Sequence, residues 1–244
     1  MIVRPLRSPI VPRARRSRFG PFRQCAAALA SLALGCGPRA PVPPPAAPAP
    51  VAAPAPEPFP YADVWTRAPG VVLVRDSGSG VLPYASMRLQ VLRADTADLL
   101  RVRCITCPVP MDGRVRRGDL VYRPADLATA SADSLSAFIL AFREAVKRRD
   151  LAALRAVMSP TFVHAADGPD GVLEAVSRWQ EEAYRPLDAL PALLDRGVAQ
   201  VPGTDLWAAP PPFVTRSGYQ QLRAGFRRVN GRWTWMFLVR GAAL

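Results

Sequence analysis

The chain has 244 residues, of which 32 are Lys or Arg and 19 are Asp or Glu, so its formal net charge is +13. Half of the residues are hydrophobic, which argues against a wholly disordered chain, and four cysteines are too few for a scaffold held by many disulfides. A single histidine excludes any site that needs several histidine ligands.

The positive charge is concentrated at the N-terminus. Residues 1–60 carry eight arginines against one acidic residue, and they account for +7 of the net charge. The basic stretch ends at Arg23, and an apolar run over 25–34 follows it before Cys36. A basic segment, an apolar run and then small residues are typical of a secretory signal, and this run is too short for a stable membrane span. We therefore expect residues 1–36 to be a signal peptide.

The sequence Ala33-Leu34-Gly35-Cys36 resembles the lipobox of bacterial lipoproteins. In that family the cysteine is acylated and becomes the new N-terminus, so the resemblance implies lipidation of Cys36. Leu34 departs from the small residue that usually precedes the glycine, and Ala33 stands where leucine is commoner. Ordinary signal cleavage and an uncleaved signal anchor are the alternatives. Cleavage before Cys36 would leave a net charge of +6, which weakens the case for a nucleic-acid partner.

Residues 37–60 are rich in proline and alanine, with 11 prolines from Pro38 to Pro60. This composition predicts a disordered linker. Proline lacks a backbone donor and favours extended geometry, so neither a helix nor a strand ladder is expected here. At about 3.1 Å per residue, such a spacer would hold a domain several tens of ångströms from a membrane. We interpret this segment as a tether.

Residues 61–124 predict a small unit of short strands. Apolar and polar side chains alternate from Met87 to Val91 and again from Leu100 to Cys104, and turn-forming residues lie at 76–80 and 94–98. The segments that resemble bacterial SH3-like (SH3b) domains are Val74–Asp76, Met87–Leu92, Leu100–Arg103 and Asp112–Leu120. The resemblance implies a small SH3-like β barrel that binds cell-wall peptides or other proteins. Arg114 departs from it, because the family commonly has tryptophan there.

Cys104 and Cys107 form a C-x2-C pair at the end of a predicted strand. Such a pair can be half of a zinc site, a redox pair or a structural disulfide. No second C-x2-C pair exists, and Pro108 follows where a thioredoxin-type motif would have a helix. In an oxidising compartment we expect a local structural disulfide, with free thiols as the alternative. We expect no metal and no cofactor.

Residues 130–244 predict an α+β domain. Ser134 can cap a helix whose apolar residues recur every third or fourth position, and Asp150 can cap the helix after it. The elements expected next are a strand at Thr161–Val163 and helices at Val172–Tyr184 and Leu187–Leu194, the last capped by Gly197. Over the whole chain, the expected fold class is therefore α+β, with the small β barrel preceding this domain.

The segments Phe142–Asp150, Met158–Pro160 and Phe162–His164, together with Leu154, resemble the opening of NTF2-like domains. Those are cone-shaped α+β folds in which helices close over a curved antiparallel sheet. The middle of the segment departs from the family, because Pro210-Pro-Pro212 interrupts the expected strands. The superfamily holds isomerases, dehydratases, ligand carriers and non-catalytic modules, so the resemblance implies no single activity.

Asn230-Gly231 predicts a two-residue hairpin turn near the C-terminus. The pairs expected across it are Phe226 with Trp235, Ala224 with Phe237, Leu222 with Val239, and Arg228 with Trp233. The guanidinium of Arg228 could then lie over the Trp233 ring. Arg223 falls on the other face of the hairpin, away from its apolar residues.

No residue is assigned a catalytic role from the sequence. The candidates are His164, whose imidazole titrates near neutral pH, and Asp167 and Asp170, which could orient it. The alternative is a histidine at a strand end followed by a simple turn. Four aromatic residues could line a pocket or belong to the core: Trp207, Tyr219, Trp233 and Trp235.

The sequence as a whole predicts an exported, lipid-anchored protein on the periplasmic side of the cell envelope, with a non-catalytic binding or scaffolding role. The expected partners are the membrane, through the lipid anchor, and an envelope protein or cell-wall peptide; no nucleic acid is expected. The alternative is a hydrolase, isomerase or dehydratase of small molecules that uses a cone pocket with His164 and a nearby aspartate.

Overall fold

A computed structural model describes residues 58–164, 171–216 and 218–241, all of which belong to one compact unit. The expected signal peptide with Cys36, most of the linker, and Asp167 and Asp170 lie outside the described residues. Across the three described stretches, no helix is both long and apolar enough to cross a membrane.

Twelve strands and six helices make up the described part of the chain. The strands are β1 (Asp63–Thr66), β2 (Val71–Arg75), β3 (Gly78–Leu82), β4 (Ala85–Ala94), β5 (Leu99–Cys104), β6 (Met111–Arg116), β7 (Leu120–Val121), β8 (Met158–Val163), β9 (Arg196–Gln200), β10 (Leu206–Ala209), β11 (Arg223–Val229) and β12 (Arg232–Val239). The helices are α1 (Leu127–Ala130), α2 (Leu135–Lys147), α3 (Leu151–Ala156), α4 (Gly171–Glu181), α5 (Arg185–Leu194) and α6 (Pro211–Thr215). The fold is α+β, with a curved, open sheet and helices packed against it.

Strands β1 to β7 form an N-terminal lobe (58–121). They pair antiparallel in the order β3-β2-β6-β5-β4, and β1 pairs with both β4 and β7. The alternation predicted from Met87 and from Leu100 is confirmed, because the apolar side chains of both segments are buried in one cluster. The turn expected over 76–80 is shorter than predicted. Asp76-Ser77 already reverses the chain, so Gly78 pairs with Arg75 and begins β3.

The C-terminal lobe (125–241) packs helices α1 to α5 on strands β8 to β12. Ser134 Oγ accepts from the amide of Ala137 at the start of α2, and Asp150 Oδ1 accepts from that of Ala153 at the start of α3, as the sequence predicts. Gly197, in contrast, is not a helix cap. It lies within β9 at a φ of 94°, and a Cβ there would stand 2.8 Å from the carbonyl oxygen of Ala85.

The C-terminal hairpin has the predicted turn and half of the predicted register. Phe226 pairs with Trp235 and Arg228 with Trp233, but a bulge after Trp235 then shifts the pairing by one residue. The pairs beyond the bulge are Gly225 with Phe237, Ala224 with Leu238 and Arg223 with Val239, so the predicted pairs for Ala224 and Leu222 are wrong. A Cβ at position 225 would overlap the Phe237 ring, so glycine permits this register. The extra residue turns the β12 side chains beyond the bulge to the opposite face, so Val239 pairs with Arg223 on the face away from Phe226. Arg223 is nevertheless buried, because Phe213 and the backbone of Tyr219 and Gly241 contact its guanidinium.

The interior of the C-terminal lobe is filled by aromatic rings. The Trp235 ring is fully buried, with centroids of Phe162 at 4.7 Å, Phe142 at 4.8 Å and Trp179 at 5.3 Å. Edge-to-face and stacked arrangements of this kind are the favourable ones for aromatic pairs. Side chains from α2, β8, α4 and β12 therefore occupy the space between the helices and the sheet.

The two lobes share one sheet and a set of side chains that donate hydrogen bonds to Asp195. We call Asp195 and its three donors, Trp65, Arg88 and Arg143, the lobe junction. Strand β4 pairs with β9, so Ala85 lies opposite Val198. Arg143 on α2 donates from Nε and Nη2 to both carboxylate oxygens of Asp195, at 2.8 and 3.1 Å. Asp195 also accepts from Arg88 and from the indole of Trp65. The junction therefore binds strands of one lobe to helices of the other.

Candidate functional site

His164 follows strand β8 and lies, half-buried, at an open cleft of about 580 Å³, which we call the histidine cleft. Its Nδ1 accepts a 3.0 Å hydrogen bond from the indole Nε1 of Trp179 on α4. A ring nitrogen that accepts carries no proton, so this contact selects the tautomer with hydrogen on Nε2. Acid–base chemistry by His164 would therefore pass through Nε2. The aspartates expected to orient it, Asp167 and Asp170, lie outside the described residues.

The histidine cleft carries more positive than negative charge. The arginines among its described lining residues are Arg178, Arg185 and Arg240. Arg178 pairs at 3.4 Å with the exposed carboxylate of Glu174, and Arg185 donates to the backbone carbonyl of Glu182. Glu182 is the one acidic side chain among the described residues that line this cleft. The surroundings of His164 thus favour anions over cations.

A second cleft, of about 360 Å³, adjoins the first, since Leu222 and Arg240 line both. We call it the arginine cleft, and its described lining residues are Ala189, Ala192, Leu193, Arg196, Pro210, Tyr219, Gln220, Gln221, Leu222 and Arg240. None of these described residues is acidic. Arg196 and Arg240 are exposed, and neither pairs with a carboxylate in the described part of the chain. The cleft therefore combines apolar surface with two arginines that could meet an anion.

Tyr219 places a phenol in the arginine cleft. Burial raises the pKa of Tyr219 above its ordinary value, and the nearby charges of Arg196, Arg223 and Arg216 act against that rise. The phenol keeps its proton at neutral pH and can donate a hydrogen bond. The three guanidinium groups also contribute positive electrostatic potential at this phenol.

Arg223 anchors the segment that carries Tyr219. It is 1 % exposed, and its Nη1 donates to the backbone carbonyls of Tyr219 and Gly241. Its guanidinium carbon lies 4.8 Å from the centroid of the Phe213 ring, a cation–π contact. Burial lowers the pKa of Arg223 from its ordinary value, which still leaves it charged at neutral pH. Arg223 thus fixes the backbone next to the cleft.

The four aromatic pocket candidates separate into different surroundings. Tyr219 lines the arginine cleft, whereas Trp235 lies in the aromatic interior. Trp233 is also buried, and its indole donates to the carbonyl of Asp133 at 3.1 Å. Trp207 is half-buried and packs against the core. Arg228 donates to the carbonyls of Gly231 and Ala132, not to the Trp233 ring.

Cys104 and Cys107 are joined by a disulfide at the end of β5, and both are buried. The bond uses both sulfur atoms, so neither is a thiolate that could ligate zinc. Within the described residues, no three or more His, Cys, Asp or Glu side chains come together to hold a metal ion. The pair therefore acts as a local brace in the N-terminal lobe.

The sequence analysis did not predict the arginine cleft. Its lining comes from α5, β9, Pro210 after β10, the segment before β11 and Arg240 after β12, so no short motif marks it. The burial of Arg223 was missed because it depends on contacts with Phe213, Tyr219 and Gly241 that the sequence analysis did not predict. An excess of arginine near the C-terminus was the available signal, and it does not show which side chains converge.

Comparisons with known proteins leave the family open. No protein-family model matches the chain, and no curated protein matches it. One similar solved structure is that of an NTF2-like protein of unknown function from Pseudomonas putida KT2440. The two chains are 18% identical, the match covers 42% of this chain and 80% of that chain, and the TM-score is 0.23. A TM-score of this size carries no argument about function.

Proposed function

We propose that this protein is exported to the cell envelope, is anchored there by a lipid on Cys36, and has a non-catalytic role in binding or scaffolding. The basic, apolar and small segments before Cys36 support export. The disulfide between Cys104 and Cys107 also supports it, because such bonds persist in oxidising compartments. The proline-rich linker would hold the folded lobes away from the membrane.

The filled interior of the C-terminal lobe is the observation that carries the non-catalytic part of the proposal. Trp235, Phe142, Phe162 and Trp179 occupy the space that a cone-shaped fold would offer to a substrate. Ligand pockets are usually concave and enclose most of a small molecule. The histidine and arginine clefts lie outside this aromatic core and are open, which suits reversible binding better than water-excluding chemistry.

We propose an NTF2-like fold for the C-terminal lobe and an SH3-like fold for the N-terminal lobe. Helices α2 and α3, strand β8 and the closing hairpin β11–β12 support the first, because they occur in the order that the resemblance implies. Short antiparallel strands, with β1 pairing to both β4 and β7, support the second. An experimental structure whose two lobes superpose on neither fold would contradict both assignments.

Processing of the N-terminus tests the export proposal. The full chain with a C-terminal tag is expressed in a bacterial host, fractionated, and weighed intact by mass spectrometry. We expect a mass that matches cleavage before Cys36 plus acyl groups, in the membrane fraction. Cys36→Ala should lose acylation and membrane retention, whereas the control Cys25→Ala should lose neither. Wild-type chain that is soluble and carries no acyl group on Cys36 would contradict the anchor.

An enzyme of small molecules is the second candidate, and the position of His164 at an open cleft favours it. The test incubates the purified wild-type chain and His164→Ala with a small-molecule extract of the cell envelope, followed by mass spectrometry. We expect identical extracts after both incubations. A compound that the wild type consumes and His164→Ala does not would overturn the non-catalytic proposal in favour of this one.

A further inference from the structure

We propose that the arginine cleft binds a small organic anion, with an acidic head group between Arg196 and Arg240 and an apolar body on Leu193, Pro210 and Leu222. This inference deepens the binding role proposed above and rests on it for the biological setting. The cleft itself is defined by the described residues alone.

The charge of the cleft selects the head group. Arg196 and Arg240 are exposed, line the same opening, and have no carboxylate partner among the described residues. A guanidinium presents its donors as a planar fork that matches the oxygens of a carboxylate or a phosphate. Arg216 and Arg223 add positive potential at the neighbouring phenol of Tyr219. Two like charges that line one cleft without a counter-charge favour the binding of an anion.

Uncharged donors surround the same position. Tyr219 keeps its phenolic hydrogen at neutral pH, and the next two residues, Gln220 and Gln221, also line the cleft. A phenol and a primary amide can each donate to an oxyanion. Arg223 holds the backbone of Tyr219 in place from below, since it donates to that carbonyl at 3.0 Å. The backbone that carries the Tyr219 phenol is therefore held before any ligand arrives, which lowers the entropic cost of ordering this donor.

The remaining walls select the body of the ligand. Leu193, Leu222 and Pro210 give the cleft an apolar side, and Leu193 and Leu222 also contact the core beneath. A volume of about 360 Å³ is at the small end of the range for ligand pockets. The fitting chemistry is an aromatic or short aliphatic group attached to a carboxylate or phosphate. An inorganic anion alone would make no apolar contact with Leu193, Pro210 or Leu222.

Calorimetry with the purified full chain tests this at low ionic strength. Four probes share one ring and differ in charge: benzoate, phenyl phosphate, benzyl alcohol and benzylammonium. We expect saturable binding of benzoate or phenyl phosphate, and the stronger of the two identifies the head group. Benzyl alcohol and benzylammonium should bind at least about tenfold more weakly, and raising the salt concentration should weaken the anions.

Variants locate the site. Arg196→Gln and Arg240→Gln should each weaken anion binding by roughly three- to fivefold, and the double variant by about tenfold or more. Arg240→Lys should have an intermediate effect, because it keeps the charge and loses the planar fork. Arg155→Gln is the matched control, since Arg155 is an exposed arginine of the same lobe that does not line the cleft. Circular dichroism checks that each variant is folded.

Three results would overturn the inference: no saturable binding of either anion, equal binding of benzylammonium, or unchanged affinity in the double variant. None of these depends on export, so the anchor would still stand. Conversely, a chain that is not acylated at Cys36 but binds benzoate through Arg196 would remove the envelope setting and leave the site.

Discussion

The lobe junction and the arginine cleft place the same side chain in opposite surroundings. Arg143 is 6 % exposed, and both oxygens of Asp195 accept hydrogen bonds from it. Arg196 and Arg240 are exposed and face no carboxylate in the described part of the chain. The comparison shows that an arginine stabilises the fold where it is buried and paired with a carboxylate. Where it is exposed and has no carboxylate partner, it is available to a ligand.

Removing the carboxylate from the junction should have the largest effect. Asp195→Ala removes both hydrogen bonds from the buried guanidinium of Arg143 to Asp195 and leaves it only the partly exposed Glu144 carboxylate, 2.9 Å from Nη1. Breaking a buried pair typically costs about 3–5 kcal/mol of unfolding free energy. Urea unfolding followed by circular dichroism measures it. Asp188→Ala is the control, because its pair with Arg149 is exposed and should change stability by about 0–1 kcal/mol. If both variants lost the same unfolding free energy, the buried carboxylate of Asp195 would contribute no more to stability than an exposed one.

The pairing of β4 with β9, which connects the two lobes, should be disturbed by a methyl group at Gly197. Gly197 lies at a φ of 94°, and a Cβ there would stand 2.8 Å from the carbonyl oxygen of Ala85. Gly197→Ala is expected to cost about 1–3 kcal/mol, because the backbone must shift where β4 meets β9. Thermal unfolding measures the loss. Gly118→Ala provides the comparison, since a Cβ at that position meets open space; if it destabilises as much, crowding at β9 is not the cause.

The exposed pair of Arg103 and Asp112 lies between the two extremes, because its arginine is matched but in solvent. The hydrogen bond from Arg103 lowers the pKa of Asp112 below its ordinary value. A lowered carboxyl pKa adds stability above the unfolded-state pKa, and that stability is lost as pH falls through the folded-state pKa. NMR titration of the Asp112 carboxyl should show a higher pKa in Arg103→Gln. An unchanged titration would show that the pair does not persist in solution.

The arginines of the cleft should contribute least to stability. Arg196→Gln and Arg240→Gln, singly or together, are expected to change the unfolding free energy by no more than about 0.5 kcal/mol, because neither side chain is buried or paired among the described residues. The removal of neighbouring like charges would, if anything, stabilise the chain. Urea unfolding of the double variant measures this. A loss as large as that of Asp195→Ala would make these arginines structural.

Local patterns predicted the parts of the fold that depend on neighbouring residues. The caps Ser134 and Asp150 and the turn at Asn230-Gly231 each act within a few residues, and all three are present. The bulge after Trp235 was not predicted, since it depends on the Phe237 ring lying over Gly225. It turns the β12 side chains beyond it to the opposite face, so Leu238 and not Phe237 lies opposite Ala224. The burial of Arg223 was missed because it depends on non-local contacts with Phe213 and Gly241.

The junction and the cleft could not be predicted for a related reason. Arg143 and Asp195 are 52 residues apart, and the sequence gives no sign of which of its many arginines meets that aspartate. The arginine cleft requires the relative positions of five separate segments. Composition alone showed the excess of positive charge. Only the tertiary structure distinguishes the matched charges from the unmatched ones.

The shift in unfolding temperature on addition of benzoate or phenyl phosphate tests the central contrast most directly. A ligand that binds only the folded state raises that temperature, and the rise grows with the ratio of ligand concentration to Kd. We predict that the wild type is stabilised, and that the Arg196→Gln/Arg240→Gln double variant unfolds at the wild-type temperature without ligand and shows a much smaller shift at the same ligand concentration. A double variant that is less stable without ligand, or that shifts as far as the wild type, would contradict the account.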